Sequence, residues 1–410
     1  MNGRTALIRE LTETDERAWR ELAKRAIEPN PLFEPDCLIP ASRYLAGGTE
    51  MRLVIAEEDG RFFACFPVIR IPSNARPSVT WRGIRRATFS SQVRRLRFDG
   101  TPLIDEERGA EAATALFSTL TSRGHSPGAG VLVLESVAAD GPVAEYLDAA
   151  ARTVGLPFYN YHSWFRPIVR RRDELTYRNI HGREHRRLLA RKARQLGRSL
   201  GGEVHLVDRS ADKSAVDTLL AVEAAGWKGE IGEVAAAQPG SPAWFRGGAM
   251  MLHPGEPDWF REMCDRFRES GRLVLYSLDV GDTLVAMQLM VRAGAGLFDL
   301  VMAYDETYAR YSPGVQLVIG AIDRFHEATD AQWLDSCCSE SNRTMPRMFP
   351  DRRMVSTVLV GIGGRVDRFL LRLYSPTFLI LGPDSSLRRR HPRLIAALDW
   401  TTSKLRLVPA

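Results

Sequence analysis

Cysteine and lysine are both scarce in this 410-residue sequence. The five cysteines form no Cys-x-x-Cys pair, so neither a disulfide framework nor a cysteine zinc site is expected. Lysine occurs only five times among the 56 basic residues, so arginine carries almost all of the positive charge behind the net +6. The cysteine pattern fits a reducing cytoplasm, which is where we expect the protein.

Long apolar runs and the common catalytic motifs are also missing. No stretch approaches the roughly 18 consecutive apolar residues of a membrane-spanning helix, and the acidic N-terminus lacks the apolar core of a signal peptide. The sequence has no His-Glu-x-x-His motif, no Walker loop and no recognisable Ser-His-Asp order. We therefore expect a soluble protein without a metal, and the commonest zinc, NTPase and serine-hydrolase classes are excluded.

The length exceeds what one hydrophobic core usually serves, so we predict an α/β protein of more than one domain. The hairpin over 52–69, with its Asp59-Gly60 turn, is a strong signal in the first half. The arginine-rich segment 72–97 reads as a solvated loop rather than a nucleic-acid surface. The predicted division is a first domain over 1–170, a basic linker helix in 171–203, a second domain over 204–362 and an amphipathic, basic tail over 363–410.

The stretch 304–317 joins an apolar strand, predicted over 296–303, to a helix with apolar residues at helical spacing. Ser312 suits the N-cap, Pro313 suits the first helical position, and Gly314 has no side chain to block the free backbone N–H groups. Such helix N-termini bind anions, although a capped helix without a ligand is an equally simple interpretation. The predicted phosphate site consists of Ser312, Pro313, Gly314, Val315 and Gln316.

This stretch, with Trp227-Lys228-Gly229 and Asp335-Ser336-Cys337, resembles the GNAT superfamily of N-acetyltransferases. Within it, the Tyr-Asp-Glu…Tyr-Ser-Pro-Gly pattern is similar to that of the bacterial CelD-like acetyltransferases, over about Glu203 to Gly361. The resemblance implies tandem GNAT-like domains, the first degenerate, each a mixed, mostly antiparallel twisted sheet flanked by helices. It also implies acetyl-CoA or another acyl-CoA as co-substrate, with its pyrophosphate at the predicted phosphate site.

Acyl transfer to an amine needs a proton acceptor and an acid for the thiolate. Glu223 falls on the apolar face of a helix predicted from Lys213, where burial is expected to raise its pKa, unless it only pairs with Lys228. By resemblance, Asp335 ends one of the two strands that splay apart around the thioester, and its alternative role is a helix cap. Tyr304 is the candidate acid, with Tyr308 and Tyr311 as alternatives. The predicted substrate contacts are Trp227, Lys228, Asp305 and Glu306.

The sequence departs from the CelD-like pattern at Ser341-Asn342-Arg343-Thr344, where relatives often carry a histidine. That departure puts the acceptor and the level of activity in question. The resemblance otherwise implies N-acyl transfer to an amine of a small molecule or of a cell-envelope or polysaccharide precursor.

The segment 183–198 is predicted to form one highly basic helix, whose large apolar residues are Leu188, Leu189 and Leu196. The simpler interpretation is an inter-domain helix with its arginines in water. The sharper one is an arm that binds the phosphates of CoA, RNA or anionic lipid. Two alternatives to acyl-CoA transfer therefore stay open: a FemABX-like transferase that uses aminoacyl-tRNA, and a non-catalytic GNAT-fold module with peripheral membrane contact through the tail.

Overall fold

The computed structural model describes residues 1–45, 48–71, 87–90, 100–122, 129–173, 182–230, 248–369 and 371–372. Most of the arginine-rich segment 72–97, part of the loop after Trp227 and nearly all of the predicted tail lie outside these residues. In the part that is described, no helix is both long and apolar enough to cross a membrane.

The first unit of the chain runs from β1 to β7. Its elements are β1 (Asn2–Leu7), α1 (Glu13–Arg25), α2 (Pro35–Tyr44), β2 (Arg52–Glu58), β3 (Arg61–Ile71), β4 (Ala87–Ser90), β5 (Leu103–Ile104), α3 (Gly109–Thr121), β6 (Ala129–Ala138), α4 (Pro142–Val154) and β7 (Phe158–Arg170).

Local chemistry explains where several of these elements begin. Asp59 and Gly60 have φ angles of 50° and 77°, the left-handed pair that a two-residue hairpin turn requires. Helix α1 begins at Glu13, because Thr12 and Asp15 form a reciprocal capping box. Helix α2 was not predicted: its proline-rich sequence reads as a loop, yet Pro35 occupies the first helical turn, where its fixed φ is tolerated.

The second unit repeats this order after a long helix. Its elements are α5 (Arg183–Leu200), β8 (Val204–Asp208), α6 (Ala215–Ala225), α7 (Glu256–Glu269), β9 (Leu273–Val280), β10 (Thr283–Ala293), β11 (Gly296–Tyr304), a 3-10 helix (Glu306–Tyr311), α8 (Pro313–Ala328), β12 (Trp333–Asp335), α9 (Met345–Met348) and β13 (Asp351–Gly361). Helix α9 is shorter than the predicted helix over 341–348.

The two units share one 13-stranded sheet in the order β1-β2-β3-β4-β6-β13-β7-β12-β11-β10-β9-β8, with β5 beside β3. The pairs β4–β6 and β11–β12 are parallel, and the other pairs are antiparallel. Each unit's last strand crosses to the other unit: β7 pairs with β12, and β13 pairs with β6. This mixed, mostly antiparallel sheet with flanking helices confirms the predicted fold class. The domain division stays a prediction, because the crossed strands join both units in one sheet.

Buried apolar side chains hold the two units together. One large cluster runs through both units and includes Trp19 and Trp259, while a second packs α8 and α9 against the sheet of the second unit. Between the units, the Trp259 indole donates to the Cys37 carbonyl at 3.2 Å. Arg272 forms ion pairs with the buried Glu34 and Asp36 at 2.6 and 2.7 Å. The contact between units is therefore both apolar and ionic.

Candidate active site

The pairing between β11 and β12 is short. The two strands pair only from Gly296 with Trp333 to Phe298 with Asp335. Immediately beyond, β11 bulges against β10: Val301 lies opposite Leu289 and Asp299 opposite Met290, which leaves Leu300 as an extra residue. A bulge bends its strand and interrupts pairing. We call the space between residues 299–304 of β11 and the chain after Asp335 the gap.

The junction between β11 and α8 places a helix N-terminus beside the gap. Ser312 is the N-cap residue, but it has φ 57° and ψ 51°, and its hydroxyl makes no capping bond. That hydroxyl instead accepts a hydrogen bond from the Lys192 ammonium at 2.7 Å. Ser312 is therefore the N-cap residue, as predicted, but its side chain does not cap α8.

Two backbone N–H groups at this helix start have no acceptor among the residues that the structure describes. The first turn of a helix has no intrahelical acceptors for its N–H groups. Pro313 has no N–H, and the N–H of Gln316 already donates to the Ser312 carbonyl at 3.1 Å. The N–H groups of Gly314 and Val315 are thus left, in a first turn without an acidic side chain. Together with Lys192 they fit an anionic group such as a phosphate.

Gly314 acts differently from the expectation. A Cβ added there would lie 3.2 Å from the Met302 sulfur and 3.3 Å from Cδ1 of Tyr304. The glycine therefore allows the start of α8 to contact β11 closely, and it does not open room for a ligand. Gln316 also turns inward, because its side-chain amide donates to the Tyr311 carbonyl at 2.8 Å and ties α8 to the 3-10 helix.

Of the predicted substrate contacts, Trp227 and Glu306 bond to each other, and Asp305 caps a helix. The Trp227 N–H donates to the Glu306 carboxylate at 2.8 Å, so these two residues lie together at the rim of the site. The Trp227 side chain is 51% exposed rather than buried on the apolar helical face, because α6 already ends at Ala225. Asp305 accepts from the Thr307 N–H at 2.9 Å and caps the 3-10 helix.

Glu223 is buried, and it also forms the salt bridge to Lys228 that was the alternative to a catalytic role. Its Oε1 accepts from the Lys228 ammonium at 2.8 Å, and its Oε2 accepts from the Met250 N–H at 3.0 Å. The same ammonium lies 3.4 Å from the Met302 carbonyl oxygen, on the β11 side of the gap. Lys192 and Lys228 are two of only five lysines in the sequence, and both lie at this site.

Asp335 lies at the end of β12, where the gap begins, but it is fully buried. Its Oδ2 is 2.9 Å from a guanidinium nitrogen of Arg166, which is equally buried and belongs to the crossed strand β7. Its Oδ1 accepts from the Cys337 N–H at 2.8 Å, which is a turn bond rather than the helix cap that was the alternative. One oxygen of Asp335 therefore accepts a backbone hydrogen bond, and the other faces the Arg166 guanidinium.

A third carboxylate, Asp299, was missed by the sequence analysis. It lies at the bulge, is 4% exposed, and accepts from the Gln288 side-chain amide at 2.8 Å through one oxygen. Among the described residues its other oxygen has no hydrogen-bond donor. Burial raises the pKa of Asp299 to about 7, and the negative charge of Asp335 adds to the shift. The available signal was an acid inside the apolar run Leu297-Phe298-Asp299-Leu300-Val301, which we read only as a buried strand.

The comparisons with known proteins concern the family and the fold. Residues 183–342 match the family model described as an acetyltransferase (GNAT) domain. A search of curated proteins found no sequence that matches the chain.

Two solved structures show the same fold. The crystal structure of FemX is 10% identical with a TM-score of 0.53, and the alignment covers 92% of this chain and 100% of that one. The C-terminal domain of a putative lysylphosphatidylglycerol synthetase from Agrobacterium fabrum is 13% identical with a TM-score of 0.50, over 89% of this chain and 96% of that one. The family match and the fold support the GNAT superfamily and confirm the predicted enzyme class, an acyltransferase.

Proposed function

We propose that the protein transfers an acyl group from acyl-CoA, in the simplest case acetyl-CoA, to an amine of a small molecule or cell-envelope precursor. The observation that carries this proposal is the neutral N-terminus of α8 beside the gap, within the residues that match the acetyltransferase model. The CelD-like resemblance of the sequence is part of the same proposal.

The residues present fit the phosphates of such a donor. The N–H groups of Gly314 and Val315 would bind the pyrophosphate, with the Lys192 ammonium neutralising its charge. The donor supplies the thioester, whose acyl end would extend along the gap. Tyr304, half-buried at the end of β11, is the candidate acid for the departing thiolate.

Three carboxylates stand as candidates for accepting the proton of the amine. The sequence favours Asp335, with Glu223 as the second candidate, but each already faces a cation: Arg166 for Asp335 and Lys228 for Glu223. Asp299 lies on β11 at the gap, and within the described part of the chain one of its oxygens has no donor. A group with a pKa near the working pH is also the better general base, so the contacts favour Asp299.

Calorimetry with acetyl-CoA and with CoA tests the donor. We expect both to bind the full-length protein, and no binding at millimolar ligand to folded protein would contradict the proposal.

A second candidate donor, aminoacyl-tRNA, is favoured by one surface of α5. Arg187, Arg191, Arg194 and Arg198 follow i, i+4, i+7 and i+11 spacing, and all four are exposed. The opposite side of α5 is attached to the site, because Leu196 is buried and Lys192 contacts Ser312. Leu188, predicted to be a packing residue, is 39% exposed. The stripe spans about 16 Å at 1.5 Å per residue, long enough to follow several phosphates of a polyanion.

Replacing the four stripe arginines by glutamine tests this donor. Salt-dependent tRNA binding that disappears in the variant would favour aminoacyl-tRNA. Replacing four exposed arginines of the first unit, Arg9, Arg17, Arg43 and Arg152, provides a control with the same loss of charge. tRNA affinity that is unchanged in the stripe variant would exclude this candidate.

A further inference from the structure

A pocket of about 610 Å³ opens next to the end of β12. The crossed strand β7 forms one wall, and the loop between β12 and α9 forms the other. Phe165, on β7, is 66% exposed at this pocket, and Trp164 beside it is half-buried. The volume lies within the range of about 300–1,000 Å³ that is typical of small-molecule sites. The pocket exists only because the first unit's last strand crosses to the second unit.

Polar groups complete the lining. The side-chain oxygen of Asn342 accepts from the N–H groups of Thr344 and Met345 at 2.9 and 3.0 Å. Both bonds use the oxygen, so the amide nitrogen keeps its hydrogens for a ligand. Glu340 is held at the pocket by the His162 ring nitrogen at 2.8 Å. The pocket therefore offers aromatic surface, an amide donor and a carboxylate.

The pocket meets the gap at the end of β12. Pro167 lines the pocket, and its carbonyl oxygen accepts from the Ser336 N–H at 3.3 Å. Ser336 directly follows Asp335, where the pairing of β11 with β12 has just ended. A molecule in the pocket thus lies beside the opening through which an acyl group would be reached.

We propose that this pocket binds the acyl acceptor, and that the acceptor is an amine on a hydroxylated ring, such as an amino sugar. The proposal rests on the proposed function. Phe165 and Trp164 offer apolar faces for the C–H surface of a ring, and Asn342 and Glu340 offer partners for its hydroxyl and amine groups. The Glu340 carboxylate favours a cationic ligand over an anionic one. A linear amine would leave the aromatic surfaces unused.

Ligand-observed NMR with glucosamine tests this pocket directly, without a donor. We expect saturable binding that weakens at least 5-fold in Phe165→Ser and in Asn342→Ala. Phe369, which is 64% exposed and does not line the pocket, gives the matched control Phe369→Ser, for which no change is expected. Circular dichroism checks that each variant is folded, and the exposure of Phe165 makes that the expected result.

Three outcomes would overturn the proposal: no saturable binding of glucosamine, binding unchanged in both pocket variants, or equal affinity for the linear diamine cadaverine. Calorimetry with acetyl-CoA separates this proposal from the donor proposal. If acetyl-CoA binds and glucosamine does not, only the acceptor assignment fails. If glucosamine binds through the pocket and acetyl-CoA does not bind, the pocket stands as an amino-sugar site and the donor proposal fails.

Discussion

Helices α3 and α8 occupy corresponding places in the two units, each between the strands of a parallel pair, but they begin with opposite chemistry. The third residue of α3 is Glu111, whose carboxylate accepts from Arg108 at 2.6 Å. The third residue of α8 is Val315, and no acidic side chain lies in its first turn. An acid in the first turn satisfies the positive end of a helix internally. The residue at the third helical position thus decides whether the N-terminus is already neutralised, as by Glu111 in α3, or can bind an anion, as in α8.

The strands that follow the two helices also differ in charge. Strand β6 of the first unit is apolar where it pairs, with the run Val131-Leu-Val-Leu134. Strand β12 of the second unit ends in Asp335, which is buried against Arg166. Because Arg166 comes from the first unit, the site of the second unit depends on the crossed strand. The comparison predicts that an anionic ligand binds at the second unit rather than at the first.

The largest expected effect comes from removing the charge that the first unit supplies. Arg166→Met leaves the Asp335 carboxylate buried without its guanidinium, and we expect the free energy of unfolding to fall by about 3–5 kcal/mol. Urea denaturation of the purified variant measures this change.

The double variant Arg166→Met/Asp335→Leu is the control for this effect. It removes both charges and makes the second unit resemble the apolar first unit, so most of the lost stability should return. If the double variant is as unstable as Arg166→Met, packing of the arginine rather than charge pairing is responsible.

The second prediction gives the start of α8 the acidic residue that is found at the start of α3. Val315→Glu copies the first unit's arrangement into α8 and places a carboxylate where the donor phosphates would bind. A like charge there costs several kcal/mol, so we expect acetyl-CoA affinity to fall by about 100-fold or more in calorimetry. The helix itself should tolerate the change, because an acid in its first turn is favourable.

The reciprocal variant Glu111→Val is the matched control. It removes the acid from α3, far along the sequence from the match to the acetyltransferase model, and donor affinity should stay unchanged. Equal loss of affinity in both variants would place the donor elsewhere.

Asp299→Asn tests whether Asp299 accepts the proton of the amine. The variant keeps the shape of the side chain but cannot accept a proton, so turnover should fall by about 10²-fold, within the usual range for loss of a general base, while donor affinity stays the same. Asp299 accepts a proton only when it is ionised, so wild-type turnover should rise with pH through about 7. That rise should be absent in the variant.

Asp335→Asn and Glu223→Gln are the companion variants. If turnover persists in Asp299→Asn and collapses in Asp335→Asn, the prediction from the sequence is the better one. Stability gives an independent check on Asp299. Folding raises the pKa of Asp299, so the free energy of unfolding of the wild type should fall as the pH rises from about 4 to about 7. Asp299→Asn should not show that part of the fall.

The sequence predicted the parts of this protein that local patterns encode. Hairpin β2–β3 and the strand-to-helix junction at Ser312 follow from turn residues, helical periodicity and proline position. The crossing of β7 and β13 could not be predicted, because a strand's partner is set by tertiary pairing and not by its own residues. The Arg166–Asp335 pair, the pocket at Phe165 and the contact of Lys192 with Ser312 all depend on long-range contacts.

The smallest expected effect concerns Lys192, the cation beside the start of α8. In the described residues of the first unit, Arg108 lies beside the start of α3, but its guanidinium is already paired with Glu58 and Glu111. Lys192→Gln removes a cation from the open terminus of α8, and we expect acetyl-CoA affinity to fall about 10-fold, the effect of one charged hydrogen bond. Lys213→Gln, at an exposed lysine away from the site, controls for net charge. Ser312→Ala removes the partner of Lys192 but leaves its charge, so affinity should stay near that of the wild type. If Lys192→Gln binds normally while Val315→Glu does not bind, the backbone N–H groups of Gly314 and Val315 hold the phosphates without help from α5.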